Sequence, residues 1–143
     1  MINIRHNDSR TALENRIFAA RTEAYKPVVK AIVELRDYGR RMNLKTFGEE
    51  EPNTVPVLED GRWLALLALV ELFASEQVRS SFEVLPGRVS AFREGLLDAT
   101  EAVKPSTTVD ERQAAWEFQK KQRAALEERC EKSLVAIRQE LAG

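Results

Sequence analysis

The sequence predicts an all-α fold, an antiparallel bundle of four main helices forming one domain over residues 1–143. Three observations carry that expectation. An apolar stripe, Val78, Phe82, Leu85, Val89, Phe92, Leu96, Ala99 and Val103, keeps steps of three and four straight through Pro86-Gly87. A second stripe, Leu13, Ile17, Ala20, Ala24, Val28, Ala31, Leu35, Tyr38 and Met42, does the same across Pro27. Helix start signals occur at Ser75 and at Thr108-Val109-Asp110-Glu111, the latter a capping box in which each side chain can satisfy a free backbone donor at the other position. Six glycines and five prolines are too few to punctuate a many-stranded sheet, and 43% hydrophobic with 31% charged residues is ordinary globular usage.

The first helix is expected over about 9–42, capped by Asp8 or Ser9 and kinked at Pro27, because proline removes one backbone donor and its ring crowds the carbonyl of Glu23. Residues 43–60 show no period and contain Gly48, Glu49, Glu50, Glu51, Pro52 and Pro56, which reads as a loop. The second helix, about 61–74, is capped by Asp60 and so apolar that it is expected to be almost wholly buried. The third, about 76–103, is long and kinked or broken at Pro86. The last runs over about 109–141, with Ala115, Phe118, Leu126, Cys130, Leu134, Ile137 and Leu141 on its apolar face, interrupted by Gln122.

The net charge of −1 conceals segregation. Residues 1–45 hold ten Lys or Arg against five Asp or Glu, residues 46–111 five against thirteen, and residues 112–143 seven against five. Complementary neighbouring helices explain this, and a docking surface for an anionic partner is the alternative. The polar stretch Met1 to Arg10 lacks the apolar region of a secretory signal, and one cysteine fits a reducing compartment, so a cytoplasmic location is expected. The run Trp63 to Ala74 is too short for a bilayer span, which needs about 20 apolar residues.

The familiar chemistries find no apparatus. His6 is the only histidine, so the usual zinc and di-iron sets cannot be assembled, and neither glycine-rich phosphate loop is present. Glu127, Glu128 and Glu131 have helical spacing for a carboxylate magnesium site but stand beside Arg129 and Lys132. No cofactor is expected, and nucleic-acid binding is disfavoured by a pI near 6.0. The candidate partner contacts are Trp116, one residue off the apolar face of its helix, the basic cluster Arg36, Arg40, Arg41 and Lys45, and the acidic run Glu49, Glu50 and Glu51.

Leu72-Phe73-Ala74-Ser75-Glu76-Gln77-Val78, with Arg21-Thr22-Glu23-Ala24-Tyr25 upstream, resembles a Leu-Phe-Gly-Ser-x-x-Val motif of uncharacterised small helical proteins of actinobacteria and their phages. The similarity covers about residues 16–85 and implies a bundle without implying an activity. Members of that group often carry an N-terminal membrane helix, and Ala74 stands here where they have glycine. The expected function is a non-enzymatic protein–protein interaction or scaffold module, with a protein partner or self-association. The alternatives are an accessory domain acting near an anionic membrane through the basic first helix, and a carboxylate-metal-dependent hydrolase.

Overall fold

The computed structural model describes residues 2–43, 55–59, 61–102 and 104–142, and among them every regular element is helical. Helix α1 spans Ile2–Arg41, a short 3-10 turn Pro56–Leu58, α2 Arg62–Phe73, α3 Glu76–Glu83, α4 Leu85–Ala102 and α5 Val109–Ala142. The chain is therefore all-α.

Helix α1 passes through Pro27 as a single element. Pro27 and Glu23 are both exposed, so the carbonyl that loses its partner is hydrated rather than buried, and the apolar stripe on the opposite side keeps its phase. The helix starts at Ile2, seven residues before the expected boundary, so the local capping capacity of Asp8 and Ser9 gives way to continued helical hydrogen bonding. Pro86 acts differently. The chain turns at Val84, and α4 begins at Leu85 with Pro86 in its first turn, where a missing donor costs nothing. The third helical stretch, expected to be kinked or broken at Pro86, is thus two helices, although Val78, Phe82, Leu85, Val89, Phe92, Leu96 and Ala99 are all buried as one stripe.

Helix α2 starts at Gly61, whose φ of 75° lies in the left-handed region and which provides no side-chain cap. Asp60, the expected cap, lies outside the described residues, as does the acidic part of the 43–60 loop. Ser75 caps α3 as expected, its hydroxyl accepting from the Val78 amide at 3.3 Å. Thr108 likewise accepts from the Glu111 amide at 3.1 Å, opening α5.

The order of contacts along the chain defines the packing. Arg21, Arg36 and Arg40 of α1 meet Glu140, Glu131 and Glu127 of α5, so the two helices run in opposite directions. Ser81 of α3 faces Ser133 and Gly95 of α4 faces Gln119, so α3 and α4 also oppose α5. Arg62 and Phe73 of α2 meet Glu34 and Arg21, opposing α1. The shared core holds Tyr25, Ile32, Leu35, Val70, Phe82, Phe92, Leu126 and Ile137, with Trp63 stacked on Phe82 at 4.2 Å between ring centroids.

Two expectations about faces are corrected. Helix α2 buries only Trp63, Leu66 and Val70, leaving Leu64 and Leu72 72% and 75% exposed, because α1 and α3 cover one side of it and nothing described covers the other. On α5, Phe118 is 39% exposed and Gln119 is buried in its place. The cause is the close approach of α4: a Cβ on Gly95 would lie 3.2 Å from the Cα of Gln119, so the helices touch backbone to backbone there.

Substituting Gly95→Val should therefore lower the unfolding free energy by about 2 kcal/mol in urea titration, since the displaced atom is main chain. Gly87→Ala is expected to raise it by about 0.5 kcal/mol, because a Cβ at Gly87 meets nothing within 4 Å.

Candidate functional site

The C-terminal turns of α1 carry Arg36, Arg40 and Arg41 of the basic cluster named as a candidate partner contact. Arg36 and Arg40 are paired within the chain. Arg36 donates to Glu131 at 2.9 Å and Arg40 donates to Glu127 through Nε at 2.8 Å, both across to α5. The Glu131 bond is the largest influence on the Arg36 guanidinium and holds its pKa above the usual value. Arg123 completes this end of α1 by donating to the Met42 carbonyl at 2.6 Å while lying over the Phe92 ring, 5.4 Å from its centroid. Burial lowers the Arg123 pKa.

Arg41 stays exposed. It borders an open groove of about 490 Å³ with Glu34, Asp37, Tyr38, Val57 and Arg62, two carboxylates facing two guanidinium groups. Lys45, Glu49, Glu50 and Glu51 lie outside the described residues. Trp116 is 47% exposed on α5, and it stands 15 residues from Glu131 along that helix, about 22 Å. The structure therefore does not bring Trp116 together with Arg36, Arg40 and Arg41.

Glu127, Glu128 and Glu131 each hold a cation of the chain: Arg40, Lys132 at 3.0 Å, and Arg36. Lys132 keeps the Glu128 carboxyl below its usual pKa. Glu127 and Glu131 face α1 rather than forming a solvated ridge. Among the described residues no group of three or more His, Cys, Asp or Glu is placed to hold a metal ion. Cys130 is buried, and burial pushes its thiol up to about 12, so it is a neutral packing group at physiological pH.

The most connected polar cluster was not among the sequence candidates. It centres on Glu140 of α5, whose side chain is 14% exposed. The Ser75 amide and hydroxyl donate to its two oxygens at 3.2 and 2.8 Å, and Arg21 of α1 pairs with it at 3.2 Å. Arg21 also donates to the Phe73 carbonyl at 2.6 Å, closing the last turn of α2. The Tyr25 hydroxyl is buried beside the same carboxylate without a hydrogen bond of full geometry, and burial first, then Glu140, raises its pKa to about 12. Arg21 and Tyr25 at spacing i, i+4, and Ser75 as a cap, were visible in the sequence; Glu140, 65 residues from Ser75, left no local signal.

Next to this cluster, where α1 leaves the packed core, Arg16, Ile17, Ala20 and Arg21 with Leu72 and Phe73 line a groove of about 390 Å³. Leu13, Ile17 and Phe18 are 56%, 48% and 49% exposed, although Leu13 and Ile17 continue the stripe that is buried further along α1. Opposite Arg21 stands Glu140, and α5 extends only two residues beyond it. Towards the other end of the molecule, Leu97 is 48% exposed on α4, and Val109, Trp116 and Phe118 are 77%, 47% and 39% exposed on α5. No described helix is long and apolar enough to cross a membrane.

Replacing Glu140 by Leu should cost about 3 kcal/mol of stability, because it strands Arg21 and the two Ser75 donors in a partly buried position. Tyr25 sets a pH dependence. Its folded pKa lies above the unfolded value near 10, so its contribution is fully present below pH 10 and declines as pH rises from 10 towards 12. In Tyr25→Phe the alkaline loss seen by urea titration should be smaller than in the parent, with the Cys130 share remaining.

Comparisons with protein-family models, with curated proteins and with solved structures give no match.

Proposed function

We propose that the chain is a non-enzymatic protein–protein interaction module, built as an antiparallel bundle of α1, α2, the α3–α4 pair and α5. The observation that carries this reading is the unpaired apolar surface at both ends of the helical core: Leu13, Ile17 and Phe18 on α1, Leu97 on α4, and Val109 and Trp116 on α5. Large exposed apolar side chains grouped in this way mark contact surfaces. Ion pairs at Glu127, Glu131 and Glu140 join α1 to α5 between those surfaces.

Two further findings support this reading over its rivals. Arg36 and Arg40 are spent on α5 carboxylates, which weakens the case for an anionic membrane held by the end of α1. The carboxylates with helical spacing on α5 are neutralised by Arg40, Lys132 and Arg36, which weakens the case for a carboxylate-metal hydrolase.

Light scattering of the purified chain, combined with capture of itself or of a defined partner on an immobilised copy, tests the reading. Leu13→Ser and Trp116→Ser should reduce capture while leaving the unfolding free energy from urea titration within about 0.5 kcal/mol of the parent, since both side chains are half exposed. Loss of folding stability without loss of binding would contradict it.

A further inference from the structure

We draw no further inference here: the strongest candidate, the face of α2 on which Leu64 and Leu72 stand exposed among the described residues, is an unpartnered apolar helix surface, and nothing in the structure shows what covers it.

Discussion

The carboxylate of Glu140 is the constraint on which the rest of the arrangement depends. A charge with little solvent contact is costly unless its lone pairs are met, and here Ser75 supplies two donors and Arg21 a counter-charge. Those partners come from different elements: Arg21 from α1, Ser75 from the start of α3, and the Phe73 carbonyl, held through Arg21, from the end of α2. One side chain near the end of α5 thereby sets the angle between α2 and α3 and the register of α1 on α5. The ion pairs Arg36 with Glu131 and Arg40 with Glu127 hold α1 against α5 further along, 9 and 13 residues before Glu140.

Register has consequences at both ends. Once Arg21 is placed opposite Glu140 and Arg123 opposite the end of α1, helices of unequal span cannot finish level with one another. The apolar stripe of α1 is longer than the surface available to cover it, which is why Leu13 and Ile17 are exposed while Val28 and Leu35, on the same stripe, have no exposure. The hairpin of α4 and α5 overshoots in the other direction, and its tight packing at Gly95 buries Gln119 while Phe118, its ring edge beside Gly95, stays 39% exposed.

The two internal prolines show how context decides the effect of one residue type. Pro27 sits on the solvent side of a long helix whose far face is buried, so water takes the freed carbonyl and packing holds the helix together. Pro86 follows Val84 and Leu85, where the chain has already turned, and it occupies a first-turn position that needs no donor. The stripe Val78 to Ala99 survives because a one-residue turn at Val84 preserves its facing while breaking the helix.

The sequence by itself determined the all-α class, the stripes that form the core and the caps at Ser75 and Thr108, because periodicity and capping act over three or four residues. It also indicated that Trp116 would be partly exposed. Only the tertiary structure decided where the charges go. The basic residues of α1 find their partners on α5, a segment of net positive charge, rather than on the acidic stretch 46–111, so segment totals misdirect where individual facing positions do not. It decided too that among the described residues α2 is covered on one side, that Gln119 rather than Phe118 is buried, and that Arg21, Tyr25, Ser75 and Glu140 meet. Each of these depends on which helices become neighbours, and pairings between residues 65 or 95 positions apart leave no local pattern for a single chain to display.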